Sequence, residues 1–215
     1  QEALERVARA MGGLADMARV FEEQAAKAQD PQLAAHLYTT AARVYEQDLG
    51  NVDTAISLHK RVLEADPSSL GAAEALERLY RVTERYGELS AVLQTKAGIL
   101  EDLPLKKEAL FQAASIEEDV LGQADAAIAV YQKVLEVDPE EVRAIDALVK
   151  QYQGLGRWND LLAALAKKAD FVADADEKKQ IFYDVGAVFE RELADGPHAI
   201  ETYQRILEID PDDVY

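Results

Sequence analysis

The sequence contains no cysteine, only 6 prolines and 11 glycines among 215 residues, and no apolar run near the roughly 20 residues that cross a bilayer. The absence of cysteine excludes disulfides, thiolate metal ligands and thiol catalysis, although it does not decide the compartment. Few positions can break a helix, and the abundant alanine, leucine, glutamate, lysine and arginine favour helices. We therefore expect an all-α chain without a membrane-spanning segment.

Basic residues are also scarce, since 23 lysines and arginines face 41 aspartates and glutamates and give a net charge of −18. Such a surface repels phosphate backbones and anionic lipids, so no nucleic acid and no membrane is expected as a partner. With 49% hydrophobic residues, the chain has enough apolar surface for a folded core. The expected partner is a protein or a peptide.

A repeat with a step of 72 residues runs through the chain. Three Leu-Glu-x-Asp-Pro segments end at Pro67, Pro139 and Pro211. Residues 37–67 and 109–139 are identical at 13 of 31 positions without a gap. Because an insertion in one helix would shift its contacts with both neighbours, this strict register is typical of units stacked end to end.

Each 72-residue repeat contains four amphipathic segments, which form two helix hairpins. In the middle repeat, the apolar spacing predicts helices over 72–83, 86–100, 105–121 and 124–137. The whole chain then forms about six antiparallel hairpins in three ungapped 72-residue units. The hairpins are expected at about residues 1–30, 31–67, 68–103, 104–139, 140–175 and 176–211.

Residues that typically begin or end helices support these helix boundaries. Asp-Pro pairs begin at Asp30, Asp66, Asp138 and Asp210. Each pair predicts a helix start, with the aspartate as N-cap and proline at the first helical position. Asp138 and Glu141 also have the spacing of a capping box. Gly50 and Gly122 lie where the first helix of a pair is expected to end and turn.

Residues 113–139 resemble a tetratricopeptide repeat. The matching features are Gly122 at the turn, Ala127 where the helices cross, Tyr131 one turn later and Pro139 at the end. This motif is specific for the fold and nearly silent on the ligand.

The resemblance extends over essentially the whole chain with substitutions at particular positions. His59 replaces the tyrosine in the first repeat, and Ala194 replaces the turn glycine in the third. The alternate hairpins match less well, because they have Leu89 and Leu161 at the small-residue position and no closing proline.

The resemblance implies a right-handed α-α superhelix, a solenoid whose first helices line a concave groove and whose second helices form the convex back. The best-known ligand mode of the family clamps a C-terminal carboxylate with lysine, asparagine and arginine on the groove helices. The matching positions here are Thr40, Val44, Gln112, Ile116, Asp184 and Val188. That clamp is therefore absent.

The sequence shows no motif for catalysis, nucleotide binding or calcium, so no enzyme activity, cofactor or metal is expected. His36, His59 and His198 share no helix face, and packing is favoured over metal binding for His59. Packing is likewise favoured over ligand stacking for Trp158, which aligns with tyrosine in the preceding repeat. A capped polar turn is favoured over a cation loop at Asp174.

Arginines recur on the expected groove helices, since Arg6 and Arg9 correspond to Arg78 and Arg81. One interpretation is an acid–base pair within each helix, such as Glu74 with Arg78, which contributes about 0.2–0.5 kcal/mol. The other is a basic stripe that receives an acidic peptide. The complete set of predicted peptide-binding residues is Arg6, Arg9, Thr40, Arg78, Arg81, Gln112, Lys150 and Arg191.

The predicted function is a non-catalytic protein–protein interaction scaffold that binds a peptide or a partner helix on its concave face. The alternative is an architectural spacer or assembly rod that contacts partners through its acidic convex face and its ends. Neither end carries a polar cap, so Leu4, Val7 and Val214 are expected to be partly uncovered. We expect one solenoid over residues 1–215, part of a longer array, with end-to-end self-association.

Overall fold

The computed structural model describes residues 2–213, with side chains from residue 6 onward. Leu4 and Val214 lie outside the residues whose side chains the structure describes, whereas Val7 is 51% exposed, as predicted. Every regular element in this range is helical, and none of these helices combines the length and apolar character needed to span a membrane. The chain divides into two compact units, an N-terminal unit, Gln1–Gly122, and a C-terminal unit, Gln123–Tyr215.

The N-terminal unit contains seven α-helices among its described residues, each packed against the next along the chain. They are α1 (Glu2–Met11), α2 (Leu14–Lys27), α3 (Pro31–Arg43), α4 (Val52–Ala65), α5 (Leu70–Val82), α6 (Tyr86–Ile99) and α7 (Leu103–Ser115). A π-helical turn extends α3 over Val44–Asp48, and another extends α7 over Ile116–Val120.

The C-terminal unit contains five α-helices among its described residues, again packed in sequence order. They are α8 (Ala124–Val137), α9 (Val142–Gly154), α10 (Trp158–Phe171), α11 (Ala175–Ala187) and α12 (Gly196–Ile209). A third π-helical turn follows α11 over Val188–Glu192. The prediction of an all-α chain built from successive helix pairs is confirmed, while the superhelical sense and the single-solenoid organisation stay predictions.

Small residues are fully buried within the helix pairs. Ala41, Ala42 and Ala55 have no exposed surface in the N-terminal unit, and Ala41 and Ala42 lie in a cluster with larger buried residues such as Leu58. Alanine lets two helix backbones approach, and the surrounding large side chains fill the remaining space. In the C-terminal unit the corresponding small residue is Gly186, where an added Cβ would lie 2.3 Å from the Tyr203 ring.

The Asp-Pro pairs have two different structures. Asp30 caps α3 as predicted, because its carboxylate accepts a hydrogen bond from the Gln32 amide at 3.0 Å. Asp66 instead ends α4, and its carboxylate accepts from the Ser68 amide at 3.1 Å. The carbonyl of Asp66 also accepts from the Ser69 amide at 3.1 Å.

The N-cap prediction is therefore wrong for Asp66, Asp138 and Asp210, all of which end a helix and begin a turn. Proline follows each of them at the second position of the turn, where its fixed φ is favourable. The expected capping box from Asp138 to Glu141 is also wrong, since the Glu141 amide bonds the Asp138 carbonyl at 3.2 Å and α9 begins at Val142.

The hairpin turns place one residue in the left-handed region at each step of the repeat. Gly50 and Gly122 do so as predicted, with φ of +64° and +65°. The corresponding residue in the third repeat is Ala194, at +52°. In the alternate turns Gly12 and Gly156 adopt this conformation, whereas Glu84 adopts it at +55°. For a residue other than glycine, this left-handed conformation costs about 1–2 kcal/mol of stability.

Glu84→Gly and Ala194→Gly should each raise the free energy of unfolding by about 0.5–1.5 kcal/mol, because glycine relieves the left-handed strain. The measurement is urea unfolding followed by far-ultraviolet circular dichroism. Glu88→Gly is the matched control, since Glu88 is exposed within α6 and glycine there should lower stability by about 1 kcal/mol. Equal destabilisation by Glu84→Gly and Glu88→Gly would contradict the assignment of strain.

Candidate protein-binding surface

The π-helical turn after α3 supplies carboxylates to the neighbouring first helices. A π turn inserts one residue into a helix and redirects the side chains on either side, and such turns often occur at functional positions. Glu46 and Asp48 both belong to this turn. Glu46 contacts α5 and Asp48 contacts α1, in each case through an arginine.

Arg78 on α5 binds Glu46 with both terminal nitrogens, and its Nη2 donates to Oε2 at 3.1 Å. The hydrogen bond from Arg78 lowers the pKa of Glu46 against the opposing effect of burial. This bidentate pair joins the α3–α4 hairpin to the α5–α6 hairpin, rather than linking Arg78 to Glu74 in its own helix.

Glu77 on α5 accepts hydrogen bonds from two basic residues. Arg81 donates from one turn later at 3.1 Å, and Lys96 on α6 donates at 2.9 Å. Burial raises the pKa of Glu77, but the hydrogen bonds from Lys96 and Arg81 outweigh burial, so the net change is a lowered pKa. The carboxylate therefore connects the two helices of one hairpin.

Most of the predicted basic stripe is thus neutralised within the chain. Arg9 donates to Asp48 at 2.5 Å, Arg78 binds Glu46, and Arg81 binds a carboxylate in its own helix. An acidic peptide would have to displace these carboxylates before it could bind the three arginines. Arg6 is exposed on α1.

The other predicted groove residues of the N-terminal unit differ in exposure. Thr40 is buried, and its hydroxyl donates to the His36 carbonyl at 3.0 Å. We therefore exclude Thr40 from the binding surface. Gln112 is exposed on α7, where its amide donates to Glu108 at 3.1 Å. Lys150, in the C-terminal unit, is exposed on α9.

Arg191 lies on the π turn of the C-terminal unit, where it borders two adjoining cavities. The larger cavity measures about 730 Å³ and lies between α11 and α12. The smaller measures about 320 Å³ and lies between α9, α10 and the end of α11. Asp184, Ala187 and Arg191 border both cavities.

The smaller cavity has an apolar interior and a polar rim. Its apolar lining comes from Val149, Trp158, Leu161, Leu165, Ala187 and Val188. Its polar lining comes from Gln153, Asp184, Arg191 and Glu192. The arrangement can accept one apolar side chain while its rim hydrogen-bonds to peptide backbone or to a basic group.

Several contributors to these surfaces were not predicted. Trp158 was interpreted as a packing residue, yet its half-buried ring also lines the smaller cavity. Glu46 and Glu190 were not singled out, although glutamate recurs at 46, 118 and 190, one repeat apart. That recurrence was a usable signal, because it places the same acid on every π turn.

One ion pair recurs in both compact units at the same repeat positions. Arg85 binds Asp53 in the N-terminal unit, and Arg157 binds Asp125 at 3.2 Å in the C-terminal unit. Each arginine is 72 residues from its counterpart, as is each aspartate. The helix pairs therefore pack in the same register in both units.

Family models of the tetratricopeptide repeat match residues 38–71 and 108–140. Both segments begin in the first helix of a pair and extend past the Asp-Pro turn that closes the repeat. These two segments of the chain are therefore tetratricopeptide repeats. A comparison with curated proteins finds no significant match.

A comparison with solved structures finds matches of low sequence identity. One match is YrrB, described as a tetratricopeptide repeat protein with an unusual peptide-binding site. The two sequences are 17% identical, the alignment covers 91% of this chain and 94% of the YrrB chain, and the TM-score is 0.41. MamA from Desulfovibrio magneticus RS-1 is 16% identical, with 84% and 97% covered and a TM-score of 0.40. BtubC from P. vanneervenii is 18% identical, with 97% and 91% covered and a TM-score of 0.41.

His59 occupies the aromatic position of the first tetratricopeptide-like repeat and is buried, as predicted for a packing residue. Neither of its ring nitrogens has a hydrogen-bond partner. Its Nε2 lies 4.0 Å from the Glu46 carboxylate, which in turn binds Arg78. Burial lowers the pKa of His59, and the field of Arg78 acts in the same direction, while Glu46 opposes both.

His59 should make stability depend on pH below its unfolded pKa of about 6.5. As pH falls through this region, the unfolded chain binds a proton that the folded chain resists, so the free energy of unfolding declines by up to about 1.4 kcal/mol per pH unit. His59→Tyr, which copies Tyr131 and Tyr203, should remove that part of the slope. The measurement is urea unfolding at intervals between pH 5 and 7.5.

His36→Tyr is the control, because His36 is exposed on α3. It should leave the slope unchanged. An unchanged slope in His59→Tyr would show that His59 does not control the pH dependence.

Proposed function

We propose that the chain is a protein-interaction scaffold that binds an extended peptide or a partner helix on the face formed by the first helices of its pairs. Tetratricopeptide repeats are interaction modules and are generally non-catalytic, which supports the broad assignment. Binding of a peptide or helix on this face is supported by the 320 Å³ cavity bordered by α9, α10 and α11. Its apolar interior opens beside polar groups that can fix the orientation of a peptide.

The volume of the cavity suits one large apolar side chain, such as leucine or phenylalanine. Trp158 and Leu161 provide apolar surface, and a side chain buried there contributes about 1.5–3 kcal/mol. That contribution alone gives weak binding, so further contacts along the same face are needed for a stable complex. Arg191 and Gln153 line the same cavity and could donate hydrogen bonds to peptide carbonyls.

The charge of the preferred peptide is expected to be basic rather than acidic. Asp184 and Glu192 outnumber Arg191 at the rim, and the whole chain carries a net charge of −18. Such a field accelerates the approach of a positively charged segment. Arg78 and Arg81 already bind carboxylates, so their charge is compensated before any peptide arrives.

Peptides selected on this protein from a random display library should carry an apolar anchor with a basic residue nearby. Because Trp158 is the single tryptophan of the chain and lines the cavity, its fluorescence should report occupancy directly. Val149→Arg, which fills the cavity, should weaken binding by about tenfold or more. Val142→Arg, on the same helix but outside the cavity lining, should leave the affinity unchanged.

Two results would count against the proposal. Equal affinity of both valine variants would move the binding surface away from this cavity. A selection dominated by acidic peptides, together with loss of their binding in Arg78→Glu or Arg81→Glu, would favour the basic stripe instead. Circular dichroism and unfolding midpoints of every variant distinguish lost binding from lost folding.

A further inference from the structure

An arginine of the N-terminal unit occupies a repeat position that glutamine takes in the C-terminal unit. Arg9, in the last turn of α1, donates a hydrogen bond to Asp48 at 2.5 Å. Two repeats later the corresponding residues are Gln153, in the last turn of α9, and Glu192, on the π turn after α11. Both of these residues line the 320 Å³ cavity. The cavity therefore keeps the acid of this pair but not its base.

The Glu192 carboxylate has no charged partner of its own. No ion pair or hydrogen bond links its side chain to another residue in the part of the chain that the structure describes. The Gln153 amide is neutral, so it does not compensate the charge as Arg9 compensates that of Asp48. The repeat itself shows that a guanidinium fits against an acid at this position.

The second repeat also fills this position with the chain's own side chains. Glu77 and Arg81 form an ion pair on α5, and their counterparts on α9 are Val149 and Gln153. Both counterparts line the cavity. The C-terminal unit thus replaces a glutamate and an arginine by two shorter, uncharged side chains, which leaves room for a side chain from a bound peptide.

The cavity also offers an aromatic surface to a cation. Trp158 lines it, whereas the residue two repeats earlier is Leu14. Tryptophan is the side chain that attracts cations most strongly to its ring, and a guanidinium is hydrated weakly enough to leave water for such a contact. The same unit already contains a contact of this kind, since the Arg157 guanidinium lies 5.0 Å from the centroid of the Tyr152 ring.

We infer that the basic residue of the bound peptide is an arginine, whose guanidinium binds Glu192 as Arg9 binds Asp48 while a neighbouring apolar side chain fills the cavity. This inference rests on the proposed function and adds the identity of the cation and of the carboxylate that receives it. Arg191 opposes a cation at the rim, but Asp184 and Glu192 outnumber it. Arginine is favoured over lysine because its planar fork binds a carboxylate through two nitrogens and stacks on an indole.

A substitution within the chain tests this position without any peptide. Gln153→Arg restores the base of the first repeat beside Glu192, so it should raise the urea midpoint of unfolding. The same substitution made together with Glu192→Gln should give no gain over Glu192→Gln alone. An equal gain in both backgrounds would show that an arginine here does not pair with Glu192, and it would overturn the inference.

Synthetic peptides test the contact with a partner. Each peptide contains one phenylalanine and, one to three residues away, one arginine in a glycine–serine background, and matched sets carry lysine, citrulline or glutamine instead of arginine. Affinity is measured by Trp158 fluorescence. The arginine set should bind best, and Glu192→Gln should weaken it about two- to fivefold, the effect of one exposed ion pair, without changing the affinity of the citrulline set.

Glu208→Gln is the matched control, because Glu208 is exposed on α12 outside the cavity lining and the change in charge is the same. It should leave the affinity of the arginine set unchanged. Peptides that lose binding in Val149→Arg, but bind equally well with arginine, lysine or citrulline, would keep the cavity as the binding surface and overturn the role of Glu192. Peptides that bind Val149→Arg as tightly as the wild type would overturn the proposed function and this inference together.

Discussion

Burial of one helix pair against the next is the constraint on which the structure depends. A two-helix hairpin covers only the apolar residues of its internal seam, so its remaining apolar stripe must be covered by the adjacent pair. In the N-terminal unit α4 packs against α5, and Ile56 of α4 and Leu76 of α5 are almost completely buried. Each such side chain contributes about 1.5–3 kcal/mol, whereas an exposed ion pair contributes about 0.2–1 kcal/mol. The apolar seam therefore provides most of the stability, and the ion pairs select its register.

The ion pairs explain why a chain with recurring arginines does not present a strongly basic face. Arg78 binds Glu46 and Arg9 binds Asp48 on a neighbouring helix pair, so these ion pairs neutralise the positive charges of the two arginines. The rest of the surface keeps its acidic excess. In the proposed function a partner would therefore be recognised mainly by apolar anchoring and long-range attraction, rather than by a cluster of arginines.

The π-helical turns connect architecture with the proposed binding surfaces. They begin at Val44, Ile116 and Val188, one repeat apart, and each follows the first helix of a pair. In the N-terminal unit the turn supplies Glu46 to a neighbouring helix. In the C-terminal unit the equivalent Glu190 faces a cavity, and Arg191 borders both cavities. The same local structure packs against a neighbouring helix in one unit and lines cavities in the other.

The strict 72-residue step, the apolar periodicity and the glycines at the turns were sufficient to predict the helices, their pairing and the family. These features are local, or repeat at a fixed separation, so one sequence reveals them. Sequence also placed Gly50 and Gly122 correctly, since a left-handed turn residue is a backbone requirement. It misplaced the caps at Asp66, Asp138 and Asp210, because an Asp-Pro pair suits a helix start and a tight turn equally well. Only the packed structure decided between them.

The partners of the charged residues were likewise decided by tertiary structure. Glu74 lies one turn from Arg78 in the same helix, yet Arg78 binds Glu46 on a neighbouring helix pair. The packing brings this partly buried carboxylate within hydrogen-bond distance. Thr40 was predicted to lie on the exposed face of a groove helix, but helix packing buries it. Helical spacing determines which residues share a face, whereas the position of the next helix determines whether that face is exposed, and this depends on residues distant in the chain.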